Sequence, residues 1–292
     1  MSTFNGDRAL KAQYLSRAAH MSVRSKKEDR KQLYFSNNCW CEAGYVCQRQ
    51  DCQHRFYAEE IGVPVALAYT ERALYLNLPK DDVPYWPRRF IDALPVGMSK
   101  SGLERVCREF ALYLLTDPVV GLYSYAFTPQ HYQAIAAVIE LYRTGSNDAA
   151  AWEEAAKAAH RASHVESCRS SYSVEGYHKA GGQACSAAGY LASAHSDPRR
   201  FADAVSWAPW AERYKCFAQL MGEVNDRPYA HIRCERAGEE RRQFYYHLHG
   251  EKLLKLIAAQ ARREGFGPLG WLTTRLAKLL PAGPTGDVMR SA

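Results

Sequence analysis

Between Asp148 and His195 the chain places fourteen alanines, and no other feature limits its fold as strongly. Alanine has the highest helix propensity, and its single methyl lets two helix axes approach closely. The economical arrangement for such a run is an antiparallel helical hairpin packed on small residues. Helix punctuation elsewhere agrees. Pro64 suits a first turn, and the stripe Leu67, Leu74 and Leu78 ends at Pro79. Ser101 and Glu104 have capping-box spacing ahead of Leu103, Val106, Cys107, Phe110 and Leu114. Thr128-Pro129 opens a helix that Gly145 closes. Asp148 caps the next, which is expected to run to about Ser170, and a second small-residue helix covers Glu175 to His195. Asp197-Pro198 opens another, with a kink expected at Pro209. Residues 228–264 read as one long helix and 268–280 as a last one, docked by Leu269, Trp271, Leu272, Leu276 and Leu279. At the front, residues 6–21 predict a helix with Leu10, Tyr14, Leu15 and Ala18 on one side. Strict alternation is missing. The expected fold is mainly α, a multi-helix bundle of antiparallel helix pairs. A small cysteine-rich irregular segment lies near the N-terminus, with room for one hairpin.

Of the 292 residues, 47% are hydrophobic and 24% charged, which excludes a disordered or low-complexity chain. The expected organisation is a basic helix and cysteine-rich segment over 1–56, a helical bundle over 57–280 and a flexible tail over 281–292. The longest nearly uncharged apolar stretch, Ile61 to Tyr69, is far short of the ~18 residues of a membrane-spanning helix. Met1 to Asp7 has no apolar run of the secretory kind. The expectation is a soluble, cytoplasmic protein with no membrane partner.

Charge is uneven. The net is +5 over residues 1–56 and +6 over 227–292, against −4 between them. Basic ends suit either solvated helix faces or a nucleic-acid partner. In the second case Arg241, Arg242, Arg262 and Arg263 are the candidate phosphate or partner contacts.

Nine cysteines in a reducing compartment argue against a disulfide framework. Four of them fall in Cys39-Trp40-Cys41-x5-Cys47-x4-Cys52-x-His54. Thiolates and imidazole suit tetrahedral zinc, which needs four ligands. CxC replaces the usual CxxC, so free thiols in a satellite core and a redox role stay open beside a structural zinc site.

Two further passages carry a resemblance. Trp86-Pro87-Arg88-Arg89-Phe90-Ile91-Asp92-Ala93-Leu94-Pro95-Val96-Gly97 is followed by Phe110 to Leu115 and Thr116-Asp117-Pro118, and then by the alanine-rich half. Together with Cys41 to Cys47 they resemble a group of uncharacterised bacterial and phage-borne helical proteins with a WPxRFxxAxPVG segment. Composition and helix rhythm are also similar to immunity proteins of bacterial toxin systems. The resemblance implies a helical fold and no activity, and it assigns no functional residue. Read physically, the segment is structural: Pro87 presets a helix start, Trp86 and Phe90 bury surface, Gly97 permits positive φ, and Arg88 or Arg89 can fork to a carboxylate.

Catalytic signatures are missing. There is no GxSxG, Cys107 sits on an apolar stripe, and Gly181-Gly182 lacks a phosphate-loop lysine. His160-x3-His164-x3-Cys168 shares one helix face, but without a fourth ligand. His247 and His249 point to different faces. No catalytic residue is assigned. The expected function is a non-catalytic protein-interaction factor of the immunity or phage–host conflict (anti-defence) kind. The alternatives are a nucleic-acid binder using the basic ends and an enzyme with its site around His160 and His164.

Overall fold

The computed structural model describes residues 2–24, 39–41, 45–47, 59–79, 81–164, 172–223 and 231–267. The described chain is mainly α. Its helices are α1 (Arg8–Arg24), α2 (Val65–Asn77), α3 (Trp86–Ala93), α4 (Lys100–Thr116), α5 (Pro129–Thr144), α6 (Ala149–Ser163), α7 (Tyr172–Ser193), α8 (Arg200–Glu223) and α9 (His231–Arg263). Two three-residue strands, β1 (Cys39–Cys41) and β2 (Tyr45–Cys47), pair antiparallel with Cys39 opposite Cys47. No helix among the described residues is long and apolar enough to cross a membrane. The expected terminal helix at 268–280 and its docking residues lie outside the described residues, as does the tail 281–292.

Two helix starts follow their predicted caps. The Thr128 hydroxyl accepts from the His131 amide, and Asp148 Oδ1 accepts from the amides of Ala150 and Ala151 at 3.0 and 3.2 Å. Gly145 closes α5 in the left-handed conformation, φ 67°. The start of α4 differs. Its cap is Ser99, whose Oγ accepts from the Gly102 amide at 2.9 Å, and Ser101 lies inside the helix. The carboxylate of Glu264, from just beyond α9, accepts both the Ser99 amide and hydroxyl at 2.8 Å. A Cβ on Gly102 would lie 1.8 Å from Glu264 Oε1, so the clasp needs glycine there. Glu104, the expected partner of Ser101, pairs with Lys100 instead, at 3.7 Å. The helix α6 ends at Ser163 rather than near Ser170. Pro209 sits buried within α8, which runs on from Arg200 to Glu223.

The Trp86–Gly97 segment is built as its residues dictate. Trp86 and Phe90 are fully buried, Gly97 has φ 93°, and Arg89 reaches Glu251 on α9 at 2.5 Å. The N-terminal residues feed the same core. Thr3 and Phe4 are buried, the Thr3 amide donates to the Met98 carbonyl at 2.9 Å, and the Gly97 amide donates to the Thr3 carbonyl at 3.0 Å. Phe4 and Tyr14 join Leu67, Phe90, Phe110 and Leu253 in one continuous core.

The alanine-rich region is two packed helices, α6 and α7, with α8 laid against α7. Ala155, Ala156, Ala159 and Ala162 of α6 and Ala180, Ala184, Ala187 and Ala188 of α7 are buried. Glycines of α7 carry the close approaches: a Cβ on Gly182 would lie 2.8 Å from the Ser163 carbonyl oxygen of α6, and one on Gly176 2.8 Å from the Ala218 Cβ of α8. A Cβ on Gly181 would lie 2.2 Å from His131 Nδ1, and one on Gly189 would lie 2.9 Å from His160.

Candidate functional site

The connector between α4 and α5, residues 117–128, is a built turn. Asp117 Oδ1 accepts the amides of Val119 and Val120 at 2.9 and 3.1 Å. Gly121 lies so close that a Cβ there would be 2.4 Å from the Asp117 carbonyl oxygen. At the far end the His131 ring is buried, and its Nδ1 faces the amides of Phe127 and Thr128 at 3.3 and 3.4 Å. That arrangement needs a neutral ring. Burial, followed by the neighbouring His178, holds the His131 imidazole below the ordinary histidine range.

This turn sends its aromatic side chains both ways. Outward go Val119, Tyr123 and Phe127, with Tyr132 of α5, between 42% and 63% exposed. They are not loose. Tyr123 meets Tyr132 edge-on at 5.2 Å, and Phe127 stacks on Tyr177 of α7 at 5.5 Å. Inward goes Tyr125, which enters a polar seam between α4, α8 and α9.

The seam follows from one face of α9. Arg241, Tyr245, His249 and Lys252 are spaced by four, four and three residues, so they fall on a single helical stripe. Tyr113 of α4 approaches His249, its hydroxyl 3.3 Å from Nδ1, and Lys252 Nζ lies 5.0 Å from the Tyr113 ring centre. Phe110, Tyr113 and Tyr245 wall the imidazole edge-on. From α8, Glu212 is 6% exposed and lies 3.8 Å from Arg241, while Lys215 Nζ sits 5.0 Å from the Tyr125 ring centre.

Burial sets the protonation states. It drives the His249 pKa down to about 3. Desolvation raises the Glu212 carboxyl, with Tyr125 and Arg241 opposing it. The Tyr125 and Tyr113 hydroxyls stay protonated far above neutral pH, chiefly because they are buried. The Tyr125 hydroxyl faces Tyr245 and Glu212 but completes no well-formed hydrogen bond, and His249 Nε2 also has no partner. Neutral hydroxyls, a neutral imidazole and a carboxyl whose pKa burial raises therefore lie beside Lys215, Arg241 and Lys252.

The structure distributes the four candidate arginines rather than gathering them. Arg242 forks onto Glu239 at 2.9 and 2.5 Å and stacks 4.5 Å over Trp210. Arg241 faces Glu212, and Arg263 pairs with Glu109 at 2.5 Å. Arg262 is exposed. His160 is half-buried with its ring edge 5.2 Å from Tyr190, and burial lowers its pKa, followed by His164 and Arg200. His164 caps the end of α6, and Cys168 lies outside the described residues. Among the described residues no group of three or more His, Cys, Asp or Glu is placed to hold a metal ion. Of the zinc candidates, the described backbone pairs Cys39 with Cys47 and places Cys41 on the same strand as Cys39. Their side chains, with Cys52 and His54 altogether, lie outside the described residues.

Sequence reasoning missed the seam. It compared His249 with His247 alone and found different faces, which the structure bears out: His247 Nδ1 lies 2.8 Å from Asp82 while His249 turns inward. The usable signal was the longer stripe from Arg241 to Lys252. Comparison with protein-family models, with curated proteins and with solved structures gives no match to this chain.

Proposed function

We propose that this protein is a non-catalytic interaction factor that engages a protein partner through the outward aromatic face of the α4–α5 connector. One observation carries the reading: Val119, Tyr123, Phe127 and Tyr132 are solvent-exposed yet held by a turn fixed at Asp117, Gly121 and His131. Aromatic side chains already ordered before binding lose little entropy on association, and tyrosine and phenylalanine are favoured at the centres of interfaces. The fitting partner presents an apolar protein surface. The resemblance of the Trp86–Gly97 segment adds a toxin-immunity or phage–host conflict setting for that partner. The nucleic-acid alternative draws less support, because Arg242 and Arg263 already pair closely with carboxylates.

A photo-crosslinking residue at Phe127 in cells should trap one protein, whose binding to the purified chain is then measured. Tyr123→Glu with Phe127→Glu should weaken that binding at least about tenfold, as expected for removing two aromatic anchors. Equal binding by the double variant would reject the connector as the interface. Adducts with nucleic acid, and affinity falling steeply with salt, would favour the basic ends instead.

In the same reading, Cys39, Cys41, Cys47 and Cys52, with His54 able to replace one thiolate, hold a structural zinc ion. The motivation is a segment with few large apolar side chains and five ligands within sixteen residues. Protein purified without chelator should contain about one zinc per chain, and chelation should lower its melting temperature. Metal-free protein with an unchanged melting temperature would end this proposal.

A further inference from the structure

We propose that the seam between α4, α8 and α9 is a binding site for a small oxyanion, contacted by Tyr125, Tyr245 and His249 and neutralised by Lys215 and Arg241. It is independent of the connector's outer face, since it uses the opposite side of that turn.

Two features point to a ligand. The first is unpartnered polarity. Buried polar groups in folded proteins nearly always have a hydrogen-bond partner, so each exception calls for a cause. Here two exceptions adjoin Tyr245: His249 Nε2 has no partner, and the Tyr125 hydroxyl faces Tyr245 and Glu212 without a well-formed hydrogen bond, on side chains 1% and 4% exposed. Tyr245 adjoins both: it meets the His249 ring edge-on at 6.5 Å and faces the Tyr125 hydroxyl. The second is charge. Lys215 and Lys252 are half-buried, and neither has an ion-pair partner among the described residues. Arg241 has only Glu212, at 3.8 Å. Asp117, whose charge acts on Tyr113 and His249, is committed to the connector amides.

The balance of donors over acceptors selects an anion. Tyrosine hydroxyls, lysine and arginine donate, and charge-assisted hydrogen bonds to an oxyanion are the strong kind. Glu212 is the exception, and its environment resolves it. The groups facing it are Tyr125 from the connector, Arg241 and Tyr245 from α9, and Lys215 and Cys216 of its own helix. Burial raises its pKa, and its protonated form donates a hydrogen bond to the anion. Binding is thus linked to a proton. Rising pH ionises Glu212, sets it against the ligand and weakens binding.

Titration calorimetry on the full chain tests this with two probes at matched ionic strength. Sulfate stands for phosphate and keeps its charge across the pH range, and acetate stands for a carboxylate. Saturable binding of either supports the site and identifies the headgroup. Lys215→Met and Tyr245→Phe should each weaken it about tenfold, the scale of one lost charged or buried hydrogen bond. If Tyr245→Phe loses its circular dichroism, the half-buried Lys215 still decides. Glu212→Gln supplies a permanent donor, so it should bind and lose the decline with pH. No saturable uptake of either anion would overturn the proposal. So would equal weakening by Arg262→Ala, which would mark diffuse surface charge.

Discussion

In the α6–α7 pair the buried side chains are largely methyls, and glycines of α7 sit close against the Ser163 carbonyl and the His160 ring. In the seam between α4, α8 and α9 the buried side chains are tyrosines, a histidine and a glutamate. Both regions bring helices together, but their energetics have opposite weak points. Methyl packing has no protonation state and is broken by added volume. The polar seam is broken by a proton. Steric fit is local to a few residues, while a buried titratable group exposes the whole fold to pH.

That contrast can be tested most strongly with acid. The His249 imidazole is harder to protonate when folded, with a pKa of about 3. Its contribution is therefore complete above the unfolded value of about 6.5 and drains as pH falls toward 3. The full loss is about 5 kcal/mol at roughly 1.4 per unit. Denaturant unfolding followed from pH 7 to pH 4 should show this slope, and His249→Phe should flatten it. An unchanged slope in the variant would assign the acid sensitivity elsewhere.

The alanine-rich helix α7 should fail instead under a single methyl where it meets α5. Gly181→Ala places a carbon against His131 Nδ1 and disturbs the ring that holds Phe127 and Thr128. A loss of about 3 kcal/mol is expected, at the upper end for overpacking. Its size should not change between pH 8 and pH 7, where His131 stays neutral. A melting temperature equal to that of the parent protein would show that the helices separate freely, and the close-packing account would fall.

The smallest effect sharpens the comparison at a surface position. Asp148→Ala removes the carboxylate that accepts two amides at the start of α6. It should cost about 1 kcal/mol. Asp148→Asn should restore most of that, because the capping oxygen remains. Failure of asparagine to restore stability would mean that charge rather than the hydrogen bond matters there.

The two regions also differed in how far the sequence disclosed them. The alanine run, Asp148, Thr128-Pro129 and Gly145 act through neighbours a few residues away, so their roles were legible. The Trp86–Gly97 segment was equally readable as a proline-started, aromatic-anchored turn. The start of α4 was not. Ser99 and Ser101 are both acceptable caps, and the choice rests on Glu264, which lies 165 residues away in sequence. The seam needed the same kind of long-range knowledge. Tyr113, Tyr125, Glu212 and Tyr245 come from different elements, and each alone looks like an ordinary core or surface residue. Only the stripe on α9 was visible in one stretch of chain.

Ser99 has a consequence for how the chain is made. Ser2 pairs with Ser99 through a backbone bridge, and Glu264 closes on the same serine. The front of the described chain, a residue near its first third and a residue just past its last described helix thus meet at one point. During synthesis the chain emerges in order, and contacts far apart in sequence form slowly. The start of α4 stays half-capped until α9 has left the ribosome, so a chain stalled before that point presents an unfinished helix end to the cell's proteases. Synthesis of α9 and completion of the cap on α4 become the same event.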